Sequence, residues 1–146
     1  MSELSTEEQT QELLKVHDKV KELTGVDMIL FRPPYGDYND SVIKTAAANH
    51  YYPIQWSVDS LDWKDLPAGE ITERVVSRVQ PGSIVLFHNA ALHTPEALPA
   101  ILETLLQEGY TFVPISELIL PGEYNVDYTI DHTGRQLPAQ PSSSPR

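Results

Sequence analysis

Leu13, Val16, Val20 and Leu23 are spaced by three and four along an otherwise charged stretch, a period that predicts an amphipathic helix. The helix opens on Ser5-Thr-Glu-Glu8, the form of a capping box in which Ser5 accepts a backbone N–H and Glu8 bonds back. Gly25 is a natural stop. Met28-Ile-Leu-Phe31 then runs apolar without alternation, as a strand buried on both faces does. Asn39 or Asp40 can cap a second helix carrying Val42, Ile43, Ala46 and Ala47, and a second strand is expected near Ile54 to Val58. Ile71, Val75 and Val79 mark a third helix closed by Pro81-Gly82, followed by a third strand, Ser83-Ile-Val-Leu-Phe87. Thr94 caps and Pro95 starts a fourth helix, with Leu98, Ile101, Leu102 and Leu105 inward and Gly109 at its end. Thr111-Phe-Val113 reads as a fourth strand and Ser116 to Leu120 as a short helix.

Helix, then strand–helix four times over, predicts α/β architecture: a parallel sheet with crossover helices on its faces. About four strands are half of what a closed barrel of this kind needs. An open sheet and part of a barrel both remain open at this point. From Pro121 onward the pattern changes. Tyr124, Val126, Tyr128 and Ile130 alternate with polar residues, predicting a short strand or extended segment. Pro138 to Arg146 is rich in Pro and Ser and is expected to be disordered. The organisation expected is therefore one domain over residues 1–120 and an extended tail over 121–146.

Charge narrows the partners. Ten Lys and Arg stand against 21 Asp and Glu, a formal net charge of −11, which repels a phosphate backbone and argues against nucleic acid. There is no cysteine, so disulfides, thiolate metal sites and a cysteine nucleophile are excluded. No apolar run reaches the roughly 18 residues of a membrane span. The first residues lack the basic-then-apolar order of a secretory signal.

Three polar features directly follow predicted strands: Arg32 the first, Asp59 the second, His88 the third. In a parallel sheet all strand C-termini share one edge, where ligands and catalytic groups collect. His88 is the natural proton donor or acceptor near neutrality. Asp59 can bond one ring nitrogen and fix the tautomer. Arg32 offers a planar fork to a carboxylate. Pro33 and Pro34 stiffen the next loop, so that the N–H groups of Tyr35 and Gly36 can meet an oxyanion. Each feature also has an ordinary structural use. Asp59 can close a turn with Ser60, Trp63 can sit in a core, and His88 can simply satisfy a strand end. His88 and His93 lack the spacing of a helical metal pair, and His17, His50 and His132 are expected to be isolated and solvated.

Arg32-Pro-Pro-Tyr-Gly36, Asp59-Ser-Leu-Asp-Trp63 and Ile84-Val-Leu-Phe-His88 occur in that order. Together they resemble the third, fourth and fifth motifs of the polysaccharide deacetylases (carbohydrate esterase family four, the NodB-homology domain). The likeness runs from about Ser5 to Leu120, and Asn89 to Glu96 and Tyr128 to Gly134 resemble members from spore-forming bacteria. The resemblance implies a distorted (β/α) barrel and a metal-dependent hydrolase that removes N-acetyl groups from peptidoglycan, chitin or a related acetylated amino-sugar polymer, in the cell envelope or outside the cell. It implies a divalent metal, usually zinc. It gives His88 the role of acid, Asp59 that of orienting His88, and Arg32 that of pairing with a base aspartate. The Tyr35 N–H would help to hold the oxyanion, and Trp63 with Leu86 would line an apolar groove for the acetyl methyl.

The same resemblance implies an adjacent aspartate pair and two closely spaced histidines upstream, supplying the base and the metal ligands. This sequence has no Asp-Asp pair, and His17 is the only histidine before Arg32. No metal ligand is therefore expected in this chain. Met1 is expected to stand where the family has an internal residue, with the other motifs on a missing N-terminal half. The alternative is a non-catalytic carbohydrate-binding remnant or an inactive fragment.

Overall fold

The computed structural model describes residues 1–119 and, by backbone, the strands at 128–130 and 136–138. The chain divides into two compact units, Met1–Gln55 and Trp56–Arg146. Among the described residues no helix is long and apolar enough to cross a membrane.

The first unit opens with α1 (Thr6–Thr24). Both halves of its capping box form: the Glu8 N–H donates to Ser5 Oγ at 3.3 Å, and the Ser5 N–H to Glu8 Oε2 at 2.9 Å. Gly25 ends the helix at φ 74°, left-handed backbone that glycine adopts without Cβ strain. Strand β1 (Leu30–Phe31), helix α2 (Asp40–Ala48) and strand β2 (Tyr52–Pro53) make one parallel β–α–β unit, with Leu30 opposite Tyr52. Asn39 is the cap of α2, its Oδ1 accepting the Val42 N–H at 3.0 Å. Leu13, Ala46 and Tyr51 form the core, with Met1, Met28 and Phe31 packed against it.

Two expectations fail here. Only Leu13 of the α1 stripe is buried, while Val16 and Leu23 are exposed, because α2 is the one helix in this unit available to cover α1. Nor is His17 isolated. The Tyr51 hydroxyl lies 2.6 Å from its Nδ1 and Asp27 Oδ1 lies 3.1 Å from its Nε2, so the ring ties α1 to two later segments. Burial first, then the nearby Asp18 and Asp27, pushes the Tyr51 phenol upward. His50 is exposed, as expected, and His132 lies outside the described residues.

The fully buried Gln9 joins the N-terminal segment to α2. Its Nε2 donates to the carbonyls of Met1 and Leu4, and its Oε1 accepts from the hydroxyls of Ser41 and Thr45. Gln9→Leu removes all four of these bonds, that of the buried Thr45 hydroxyl among them, and is expected to lose about 1–3 kcal/mol. An unchanged urea midpoint would contradict that.

The second unit repeats the arrangement. Strand β3 (Val58–Asp59), helix α3 (Ala68–Val76) and strand β4 (Val85–Leu86) form a parallel β–α–β unit, with Val58 opposite Val85 and Asp59 opposite Leu86. Helix α4 (Thr94–Gln107) packs on α3, and α5 (Ile115–Leu118) follows. Ile71 and Val75 of α3 meet Ala97, Ile101 and Leu105 of α4 in the core. Strands β5 (Tyr128–Ile130) and β6 (Gln136–Pro138) pair antiparallel. The alternation read at Tyr128 and Ile130 is thus a strand, and Pro138 belongs to one too. Tyr124, Val126 and residues 139–146, where an extended segment and disorder are expected, lie outside the described residues.

The parallel α/β expectation holds, with four corrections. The strand expected near Ile54–Val58 is two short strands, β2 and β3, in different units. Thr111–Val113 is not a strand, and Phe112 and Val113 are exposed, since no described strand lies beside them to complete a ladder. Leu98 and Leu102 stay partly exposed, because α3 covers only the Ala97–Ile101–Leu105 stripe of α4. The residue before α4 is His93, not Thr94, whose hydroxyl is used elsewhere.

Candidate functional site

The register of β3 and β4 builds the site. Asp59 lies opposite Leu86, and the Ser60 N–H extends the ladder to the Leu86 carbonyl at 3.1 Å. Beyond that point β3 turns sharply. Asp59 Oδ1 accepts the Leu61 N–H at 2.9 Å, a side-chain-closed turn. Leu61 takes φ 55°, a conformation that costs a non-glycine residue on the order of 1 kcal/mol. A 3₁₀ turn over Asp62–Lys64 follows. This turn carries Asp62 back over the strand ends, while Phe87 carries β4 on to His88.

Asp62 and His88 therefore meet. The His88 Nδ1–H donates to Asp62 Oδ1 at 2.7 Å, and the His88 backbone N–H donates to Oδ2 at 3.1 Å. The Thr94 hydroxyl donates to Oδ2 at 2.5 Å. The Asp62 N–H in turn donates to Ser60 Oγ at 3.3 Å. Burial alone would raise the carboxyl. The hydrogen bonds from Thr94, from the backbone and ring of His88 and from Ser60 outweigh it and hold Asp62 below the usual carboxylate range. An ionised carboxylate only accepts, so the proton on Nδ1 belongs to His88. That leaves Nε2 as the working nitrogen, with no hydrogen bond among the described residues. The His88 side chain is 30 % exposed, whereas that of Asp62 is fully buried.

Trp63 stands beside this pair. Its ring is edge-on to the His88 imidazole, centroids 6.3 Å apart, and 55 % of the residue is exposed. Lys64 Nζ lies 5.2 Å from the centroid of the same ring. Of the two uses open to Trp63, the core one is thus not its use. Leu86, directly before Phe87 and His88, is 7 % exposed.

One pairing expected from sequence is corrected. Asp59 does not hold His88; its side chain closes the Leu61 turn, and its carbonyl accepts from Arg74 Nε at 2.8 Å. The carboxylate on His88 is Asp62, which sequence reasoning missed. The turn after β3 decides between them: Asp59 Oδ1 is taken by the Leu61 N–H, and the turn brings Asp62 to the His88 ring.

Arg32 and Tyr35 belong to the first unit. Arg32 follows β1, exposed and without an ion pair among the described residues. Tyr35 is fully exposed at φ 57° inside the 3₁₀ turn Pro34–Gly36. Gln55 Nε2 holds that loop by donating to the Gly36 carbonyl at 3.1 Å. Among the described residues no three His, Asp or Glu side chains gather closely enough to hold a metal ion. His88 Nδ1 is occupied by Asp62, and His93 faces Glu96 at 3.7 Å. The described residues do not fit the divalent metal that the resemblance implies.

The polysaccharide deacetylase sequence profile matches residues 1–54. The peptidoglycan-N-acetylglucosamine deacetylase PgdA of Listeria monocytogenes is 37% identical over 118 residues, covering 81% of this chain and 25% of that protein. This chain belongs to the polysaccharide deacetylase family. A peptidoglycan-N-acetylglucosamine deacetylase of Bacillus cereus is 42% identical over 96 residues, 62% of this chain and 45% of that protein. A solved structure, a CE4 family pseudoenzyme from Bacillus anthracis, matches with a TM-score of 0.77 and 34% identity over 81% of this chain and 42% of the neighbour. The deacetylase-family chain thus spans between a quarter and about half the length of these relatives.

Proposed function

We propose that this chain supplies the proton-donating side of a deacetylase site that removes N-acetyl groups from peptidoglycan or a chitin-like polymer. One observation carries it: the His88 Nδ1–H is locked onto a buried, ionised Asp62 while Nε2 stays open beside the exposed Trp63. When protonated, His88 can pass its Nε2 proton to the amide nitrogen as the C–N bond breaks and keep the Nδ1–H bond to Asp62 throughout. The products are a free amine on the sugar and acetate, whose second oxygen comes from water. Such a positioned acid contributes about 10²–10⁴-fold. The apolar face of Trp63 is suited to the acetyl methyl or a sugar ring, and in this reading Leu86 helps to line the same groove.

In this reading Arg32 pairs with a base aspartate, and the Tyr35 N–H helps to hold the oxyanion. That aspartate and the metal, zinc by resemblance, reside outside the described residues, on an N-terminal half. Residues 1–120 would then be part of a distorted (β/α) barrel with 121–146 as its tail, working in the cell envelope on an acetylated amino-sugar polymer. The names of the relatives support the substrate class.

The test mixes the chain with the N-terminal half of a related peptidoglycan deacetylase and follows acetate release from chito-oligosaccharides. Release with the added half and zinc, and none from either part alone, is the expected result. Equal release from the chain alone would overturn the division of labour. Oligosaccharide binding without release in any mixture would favour the non-catalytic carbohydrate-binding alternative.

A further inference from the structure

Thr94 is the first residue of α4, one past the cap position, which His93 holds. His93 makes no side-chain cap bond, and the Thr94 Oγ1–H points to Asp62 Oδ2 at 2.5 Å. The Thr94 hydroxyl is thus spent on the fully buried Asp62. The two carboxylate oxygens have different donors. Oδ2 takes the Thr94 hydroxyl and the His88 backbone N–H, and Oδ1 takes the His88 ring.

We infer that Thr94 is a positioning residue for the Asp62–His88 pair: by occupying Oδ2 it fixes the carboxylate plane and reserves Oδ1 for the imidazole Nδ1–H. Rotating the carboxylate away from the ring would break two bonds at Oδ2 at once, so Nε2 is kept as the outward nitrogen, free to take up and release a proton. Among the hydrogen bonds that offset burial at Asp62, that from Thr94 is the largest. Thr94 therefore also keeps the acceptor ionised. The remaining groups at this corner are the His88 ring, Ser60 Oγ, and the Lys64 amine over Trp63. The part played in proton donation rests on the deacetylase reading; the positioning itself does not.

The experiment is long-range ¹H–¹⁵N correlation of the histidine rings in the full chain, His88 being assigned by difference with His88→Gln. Wild type should show His88 as the single Nδ1–H tautomer. Thr94→Val, close in shape but without the donor, should show both tautomers in comparable amounts, and the Asp62 carboxyl carbon should titrate at higher pH. Thr94→Ser, which keeps the hydroxyl, should match wild type. A Thr94→Val protein with the wild-type tautomer and Asp62 titration overturns the inference. So does a Thr94→Ser protein with mixed tautomers, a result that stands even where Thr94→Val fails to fold. No substrate is involved, so failure here leaves the deacetylase reading intact. Failure of every complemented mixture to release acetate sinks that reading without touching this one.

Discussion

Asp62→Ala is expected to destabilise the second unit by about 3–5 kcal/mol, the usual cost of removing one partner from a buried charged pair. The loss would consume a large share of a typical domain's stability of roughly 5–15 kcal/mol. Asp62 is fully buried and accepts from the Thr94 hydroxyl, the His88 backbone N–H and the His88 ring. Alanine leaves all three donors facing a void. Urea unfolding of the full chain measures the cost. The pH dependence has a definite sign. Asp62 is held below its unfolded value, so its contribution is complete above the unfolded carboxylate pKa of about 4 and is lost as pH falls through the folded value. The stability gap between wild type and Asp62→Ala should therefore be constant near neutrality and shrink in acid. A gap that widens as pH falls, or a variant within 1 kcal/mol of wild type, would refute the hub role of Asp62.

His88→Gln is expected to lower acetate release in the complemented mixture by about 10²–10⁴-fold with little change in folding. Glutamine can still donate to Asp62 Oδ1, so the buried carboxylate keeps a partner. What disappears is the outward nitrogen that takes up and gives back a proton. Loss of activity with an unchanged urea midpoint separates chemistry from structure. Activity within tenfold of wild type would mean that another group protonates the leaving amine.

Local features were legible in the sequence. The Ser5–Glu8 capping box and the Gly25 stop depend on residues within one helix, and both appear where their spacing puts them. The alternation of strand and helix was equally readable, because apolar periodicity reports which face is covered. The strand-end rule drew attention to His88 for the same reason. Its partner was not legible. Choosing Asp62 over Asp59 requires the β3–β4 register and the left-handed turn at Leu61, and neither is written in spacing. Thr94 has the local context of a cap, but a carboxylate 32 residues earlier in the chain claims its hydroxyl. The apolar run Thr111–Val113 has β-forming residues but no described neighbour to pair with. His17 shows the same limit, since both of its partners, Asp27 and Tyr51, lie in later segments.

The central claim is that this chain carries the acid of a deacetylase site and not its metal. Calorimetric titration of the metal-stripped full chain with zinc at neutral pH tests it most directly. The account predicts no tight site, in keeping with the absence of a three-ligand cluster among the described residues. A tight one-to-one site would contradict it and would place the metal ligands within this chain.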